Sequence, residues 1–93
     1  MNITLVDDEQ DILVSLSRFL GSLGHRVFTF TNTRKALEDL ESNGSQLVLS
    51  DINMPGMNGF DLLFEIQRRE ELKHVTVVLV TGYGEIRGAV KAM

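Results

Sequence analysis

Acidic residues that could hold a cation or attack a phosphoryl group follow two short apolar runs in this chain. Asp7 and Asp8 come directly after "ITLV", and Asp51 comes directly after "LVLS". A further apolar run, "VTVVLV", ends before a hydroxyl residue, Thr81. Carboxylates and hydroxyls are the groups needed for an all-oxygen cation site with a nucleophile beside it. Whether they act together depends on the elements that carry them.

The apolar runs have the length of β-strands, and the segments between them have the period of helices. Strands are predicted at 3–6, 27–30, 47–50 and 75–80, where β-branched and aromatic residues are frequent. Four helices are predicted from apolar residues at helical spacing, namely Ile12, Leu13, Leu16, Phe19, Leu20 and Leu23; Ala36, Leu37 and Leu40; Leu62, Leu63 and Ile66; and Ile86, Ala89, Val90 and Met93. This alternation predicts an α/β fold, a three-layer doubly wound parallel sheet with helices on both faces.

Several residue types mark where the predicted helices begin and end. Gly24 is a stop signal for the first helix. The second is entered through "TNT" and left at "SNGS", and Asn58 is a candidate N-cap for the third. The fourth runs to the last residue without a stop signal.

The acids converge if the first and third strands are neighbours. The carboxyl ends of parallel strands lie on one edge of the sheet, where ligands bind. Carboxylates that close repel and raise each other's pKa unless a cation neutralises them. The chain has no cysteine and no histidine near these acids, so Mg²⁺ is the preferred ion. A carboxylate beside Mg²⁺ can attack a phosphoryl group, and the Thr81 hydroxyl can hydrogen-bond the phosphoryl oxygens.

Each residue also has a structural interpretation. Asp8 with Glu9 can cap the first helix, and Asp51 can serve as a turn residue. Thr81 can be an ordinary strand-end residue before the "GYG" turn, and the side chains of Asn53 and Asn58 suit a turn and a cap better than a ligand role. The acids after two strands together with a hydroxyl after a third favour a functional site over three unrelated accidents.

Composition limits the classes of function. A chain of 93 residues predicts a single domain, and the longest strongly apolar run, Val75 to Val80, is too short to cross a bilayer. The net charge is −4 and the basic residues are scattered, which argues against direct nucleic-acid binding. The first ten residues do not resemble a secretory signal. We therefore expect a cytoplasmic protein without membrane contact.

Three segments resemble the receiver domain of two-component response regulators: "ITLVDDEQDI", "LVLSDINMPGMNGFDLL" and "VTVVLVTGYGEIRGAVKAM". The resemblance implies a flavodoxin-like receiver fold with strand order 2-1-3-4. It implies that Asp51 accepts a phosphoryl group from a sensor histidine kinase. Asp8 would bind Mg²⁺ directly and Asp7 largely through water, while Asp51 and the backbone carbonyl of Asn53 complete the ligands. Thr81 would be the switch hydroxyl that moves toward the phosphoryl group.

The implied function is a phosphorylated signalling domain rather than an enzyme, one that controls an effector, expected to be transcriptional, absent from this chain. The alternative is a truncated, non-switching receiver-like module for docking or dimerisation. A phosphatase with an aspartyl nucleophile is disfavoured, because it would need Asp-x-Asp where Asp7 and Asp8 are adjacent. A flavin site is disfavoured because the same two acids would repel its phosphate.

The family continues with a fifth strand, which ends in a lysine, and a fifth helix. Lys91 falls on the predicted fourth helix and does not match that lysine. We therefore expect residues 1–93 to be a C-terminally incomplete receiver domain, either part of a longer protein or a truncation. The fourth strand would then be a bare apolar edge. A homodimer through that edge or through the fourth helix is a further expectation.

Overall fold

The computed structural model describes residues 1–80 and the backbone of residues 86–91. The elements in chain order are β1 (Asn2–Val6), α1 (Gln10–Ser22), β2 (Arg26–Phe30), α2 (Thr33–Asn43), β3 (Leu47–Asp51), α3 (Gly59–Gln67), a 3-10 helix (Glu70–Leu72), β4 (Thr76–Val80) and β5 (Ile86–Lys91). The sheet order is β2-β1-β3-β4-β5, with the first four strands parallel. The predicted α/β class, the order 2-1-3-4 and the four parallel strands are confirmed.

Helices cover both faces of the sheet, so the predicted three layers are confirmed. Alternate residues of each strand point to opposite faces. Val6, Val48 and Val77 are buried on the face that α2 and α3 cover. Ile3 and Leu5 are buried on the other face, in a second cluster with Leu13 of α1. Full burial of such a side chain contributes about 1.5–3 kcal/mol, and these clusters fix the sheet that carries the acids.

Helix α1 covers less of its face of the sheet than its apolar pattern predicts. It packs against β1 and β2, with Leu13 buried. Ile12, Leu16 and Phe19 of the same predicted stripe stay exposed. An open groove of about 730 Å³ lies between α1 and the faces of β3 and β4, and Leu49 and Val78 are among its lining residues. The reason is positional, because α1 lies toward the β2 side of the sheet.

The predicted helix boundaries have the expected capping geometry. Asn32 caps α2 by accepting a hydrogen bond from the Lys35 N–H at 3.1 Å. Asn58 caps α3 and forms a reciprocal capping box with Asp61. Gly44, which follows α2, has a φ of 67°, a conformation that glycine adopts without steric cost.

The segment predicted as a fourth helix forms a strand instead, so that prediction is wrong for Ile86, Ala89 and Val90. Strand β5 runs antiparallel to β4, with Ala89 opposite Val78 and a register irregularity at Leu79/Val80. An isolated eight-residue helix gains little from its own hydrogen bonds. Pairing with β4 satisfies the backbone groups that a bare edge would leave open. The predicted helical residue Met93 lies outside the described residues.

The same pairing corrects two further expectations about the C-terminal region. The edge of β4 is not bare, because the antiparallel strand β5 occupies it. Since β5 is formed by the segment predicted as the fourth helix, it is not the fifth strand that the resembled family adds after that helix. A homodimer through the β4 edge or through a fourth helix therefore lacks the surfaces that were expected to form it.

Candidate functional site

The three predicted acids meet at the carboxyl edge of the sheet. Strands β1 and β3 are hydrogen-bonded neighbours, with Val6 opposite Ser50, so Asp7 and Asp51 end adjacent strands. Asp7, Asp8 and Asp51 each offer one carboxylate oxygen, and these oxygens lie within 4.8 Å of one another. Asp7 and Asp51 are half-buried, whereas Asp8 is exposed. The strand pairing thus produces the convergence that the sequence predicts.

Asp8 does not cap α1. Glu9 occupies the N-cap position, and no side chain makes a capping hydrogen bond there. The Glu9 N–H instead donates to Asp7 Oδ1 at 2.9 Å. This contact holds the Asp7 carboxylate close to the start of the helix. Capping of α1 therefore does not explain the presence of Asp8.

Burial raises the pKa of the Asp7 carboxyl above its ordinary value, and the charges of Asp51 and Asp8 raise the same pKa further. The hydrogen bond from the Glu9 N–H favours the charged form and partly offsets that shift. The three ion pairs found within residues 1–80 all lie at the end of α3 and at the 3-10 helix. No basic side chain among those residues is therefore paired with the cluster, whose negative charge suits a cation.

Asp51 is both a turn residue and a member of the acidic cluster. The N–H of Asn53 donates to Asp51 Oδ1 at 3.2 Å, which is an Asx-type turn. This hydrogen bond restricts rotation of the carboxylate. Asn53 itself is exposed and lies in the loop that joins β3 to α3. The structure therefore brings Asn53 into contact with the cluster through its backbone N–H.

The predicted switch hydroxyl, Thr81, lies outside the described residues. Its neighbour in sequence, Val80, ends β4 and pairs with Asp51 of β3. The Ile52 N–H donates to the Val80 carbonyl at 3.0 Å, which ties the ends of these two strands together.

Two residues around the site were not recognised from the sequence. Gly59, the first residue of α3, is packed so closely that a Cβ there would lie 2.7 Å from the Asp51 backbone oxygen. Thr33, the first residue of α2, is buried and donates from its hydroxyl to the Met57 carbonyl at 2.5 Å. The glycine after the Asn58 cap was the available sequence signal for the first of these contacts. Nothing in the sequence pattern indicated the second.

The residues present fit a magnesium ion. Mg²⁺ binds oxygen at 2.0–2.1 Å, so ligands on opposite sides of the ion lie about 4 Å apart. The carboxylate oxygens of the cluster lie within 4.8 Å of one another, a spread that a small side-chain rotation or one bridging water accommodates. Mg²⁺ commonly keeps several waters and needs few protein carboxylates, and a cluster with one exposed and two half-buried acids meets that requirement.

A family model described as "Response regulator receiver domain" matches residues 3–93. The match spans nearly the whole chain, and it agrees with the parallel β2-β1-β3-β4 sheet and the acidic edge described above. The chain belongs to the receiver domain family of two-component response regulators, as its sequence motifs suggested.

The curated relatives are much longer than this chain. The phosphoglycerate transport system transcriptional regulatory protein PgtA of Salmonella typhimurium is 34% identical over 92 residues, which are 99% of this chain and 22% of the relative. The DNA-binding transcriptional regulator NtrC of Escherichia coli is 38% identical over 88 residues, 95% of this chain and 18% of the relative. The chain thus spans about a fifth of the length of these two relatives.

Solved structures match the fold over most of the chain. The chemotaxis protein CheY4 of Vibrio cholerae superimposes with a TM-score of 0.80 at 26% identity, over 85% of this chain and 66% of that chain. The response regulator protein TrrA of Thermotoga maritima, solved in complex with Mg(2+)-BeF, gives a TM-score of 0.79 at 34% identity, over 88% of this chain and 70% of that chain.

In the part of the chain that the structure describes, the helices are all too short or too polar to cross a membrane.

Proposed function

We propose that residues 1–93 act as a phosphoryl-accepting receiver domain. In this proposal Asp51 takes a phosphoryl group from a sensor histidine kinase in a Mg²⁺-dependent reaction, and the modified domain controls an effector. The observation that carries it is the placement of Asp7, Asp8 and Asp51 at one sheet edge, with carboxylate oxygens within 4.8 Å of one another. Membership of the receiver family supports the same role.

We assign the cation to Asp7, Asp8 and Asp51, together with the backbone carbonyl of Asn53. When bound, Mg²⁺ would neutralise the clustered carboxylates and the negative charge that develops on the transferring phosphoryl oxygens. Two observations support this assignment: no basic side chain within residues 1–80 is paired with the acids, and the similar protein TrrA was solved with Mg(2+)-BeF.

Asp51 supplies the nucleophile. One carboxylate oxygen forms a bond to phosphorus while the bond between phosphorus and the kinase imidazole nitrogen breaks, and the bonding electron pair stays on that nitrogen. The Asn53 N–H holds Oδ1 at 3.2 Å, so we assign the attack to Oδ2. Reactions of this kind depend mainly on positioning and electrostatic stabilisation, and both β3 and the Asx turn fix the carboxylate before the donor arrives.

We further propose that the Thr81 hydroxyl hydrogen-bonds the phosphoryl group and transmits its presence to the segment that follows. The effector is proposed to be transcriptional, because PgtA and NtrC are named as transcriptional regulators and this chain matches about a fifth of each. Direct DNA contact is not assigned to this domain, whose net charge is −4. A cytoplasmic location is part of the same proposal.

The test is phosphoryl uptake from acetyl phosphate with Mg²⁺, followed by intact mass. We expect the mass of one phosphoryl group to be gained by the unmodified chain and not by Asp51→Asn. Asp39→Asn is the matched control, because Asp39 lies on α2, outside the cluster, and accepts a hydrogen bond from the Asn43 side chain. A correctly folded sample that gains no mass would contradict the proposal and favour a docking module that does not switch.

A further inference from the structure

Thr33 is a buried polar residue that the proposed chemistry does not use. It is the first residue of α2 and is 2% exposed. The side chain of an N-cap residue ordinarily satisfies a free N–H of the helix, and Asn32 already does so for α2 through the Lys35 N–H. The Thr33 hydroxyl instead donates to the carbonyl of Met57, 24 residues further along the chain. The Thr33 hydroxyl therefore stabilises the segment that contains Met57 rather than its own helix.

That segment is the loop 52–58, which joins β3 to α3. Its two ends are closed on each other, because the Gly59 N–H donates to the Ile52 carbonyl at 3.0 Å. Between those ends, the Met54 side chain is buried in the core below α2 and α3. The Thr33 hydroxyl donates a direct hydrogen bond from α2 to this loop at Met57, in addition to the packing of Met54 in the core that α2 shares.

We infer that Thr33 is a positioning residue for the cation site. The loop that it holds carries Asn53, whose N–H contacts the Asp51 carboxylate at 3.2 Å and whose carbonyl is the proposed fourth ligand. Loss of the hydroxyl leaves the partly buried Met57 carbonyl without this partner and allows the loop to shift. The expected effect of Thr33 on Mg²⁺ binding rests on the proposed function, whereas its expected effect on the loop does not.

The experiment compares Thr33→Val, which keeps the shape and loses the hydroxyl, with Thr33→Ser, which keeps the hydroxyl. Thr4→Val is the matched control, because Thr4 is fully buried and its hydroxyl contacts Ser45 Oγ at 2.6 Å, before the amino end of β3. All variants are measured at a temperature at which circular dichroism shows them folded. Residues that orient metal ligands change affinity by about tenfold or more, so Thr33→Val is expected to raise the Mg²⁺ dissociation constant about tenfold.

Thr33→Ser is expected to keep the dissociation constant of the unmodified chain, and Thr4→Val is expected to lose stability without changing that constant. Amide hydrogen exchange without Mg²⁺ gives a second readout. The Gly59 amide, which closes the loop, is expected to exchange about tenfold faster in Thr33→Val, and at an unchanged rate in Thr4→Val.

The outcomes separate the inference from the proposed function. Unchanged exchange at Gly59 in Thr33→Val overturns the inference, since the loop is then not held by Thr33. Faster exchange with unchanged Mg²⁺ affinity also overturns it, since the cation site is then independent of the loop. If the unmodified chain binds no Mg²⁺, the proposed function fails and the positioning role fails with it, while the exchange data still decide whether Thr33 holds the loop.

Discussion

The surroundings of Asp7 disfavour the negative charge of its carboxylate. Its pKa is raised by burial first and then by the charges of Asp51 and Asp8. Its ordinary value of 3.8 applies to the unfolded chain. Below that pH the carboxyl is protonated in both the folded and the unfolded state, so it does not change the free energy of unfolding. As the pH rises from 3.8 through the higher pKa of the folded state, folding loses stability, and the loss persists at neutral pH without a cation.

Asp7→Asn is therefore expected to increase the free energy of unfolding at pH 7 in EDTA. The amide keeps an oxygen that can accept from the Glu9 N–H, so the main change is removal of charge. Solvent screens a half-buried carboxyl, so the gain is expected to stay below about 1 kcal/mol. Urea denaturation at pH 7 and near pH 3 measures it, and the gain should shrink toward the lower pH.

Added Mg²⁺ should reverse the ranking of the two proteins. A ligand that binds the folded state stabilises it by an amount that grows with the logarithm of its affinity, and Asp7→Asn lacks one of the proposed ligands. Asp11→Asn, a change in the first turn of α1 outside the cluster, is the control and should respond to Mg²⁺ as the unmodified chain does. A loss of stability in Asp7→Asn at pH 7 in EDTA would contradict the electrostatic account.

Helix α3 starts directly against the strand that presents Asp51. Its capping box fixes the first turn, and the Gly59 N–H closes the preceding loop on Ile52. A Cβ at Gly59 would lie 2.7 Å from the Asp51 backbone oxygen and 3.0 Å from the Ile52 Cα. Both neighbours are backbone atoms, which cannot rotate away as a side chain can. The placement of α3 under the site therefore requires a residue without a side chain at position 59.

Gly59→Ala is expected to destabilise the domain by about 1–3 kcal/mol, the usual cost of overpacking, and to slow phosphoryl uptake at Asp51. Chemical denaturation gives the first quantity, and uptake from acetyl phosphate gives the second. Gly21→Ala in α1 is the matched control. A Cβ there meets nothing within 4 Å, and alanine should stabilise the helix by about 0.5–1 kcal/mol. Equal stability of the two variants would show that the close approach is not a constraint.

Much of the architecture follows from local sequence pattern. The four parallel strands follow from apolar runs, and the starts of α2 and α3 from Asn32 and Asn58, because capping depends on residues a few positions apart. The segment of the wrongly predicted fourth helix has i, i+3, i+4, i+7 spacing over eight residues, too short to resist the pairing offered by β4. Its state was decided by a neighbouring strand, which periodicity does not report.

The site shows the same division. Asp7, Asp8 and Asp51 could be predicted to meet, because each follows a strand and parallel strands end on one edge. Thr33 could not be predicted, because its partner, Met57, lies 24 residues away and is contacted through the backbone carbonyl, which carries no residue signature.

At the scale of the whole molecule, the two faces of the sheet are unequally covered. Helices α2 and α3 bury their face in a large cluster, whereas α1 leaves a groove of about 730 Å³ beside Leu49 and Val78. Strand β4 lies at the boundary of that groove, and β5 satisfies its outer backbone groups. The C-terminal strand thus protects an apolar edge that lies beside an open apolar face.

Deletion of residues 86–93 is expected to convert the domain to a self-associating form. Without β5, the outer N–H and C=O groups of β4 are unpaired, and an apolar edge of that kind recruits another strand. Sedimentation velocity over a concentration series should show mass increasing with concentration for the shortened chain and not for the full chain. Circular dichroism checks that the parallel sheet persists. The deletion combined with Val78→Lys is the control, because a charge on an edge strand opposes pairing between copies. A shortened chain that remains a folded monomer at every concentration would show that β4 does not need β5 as a cover.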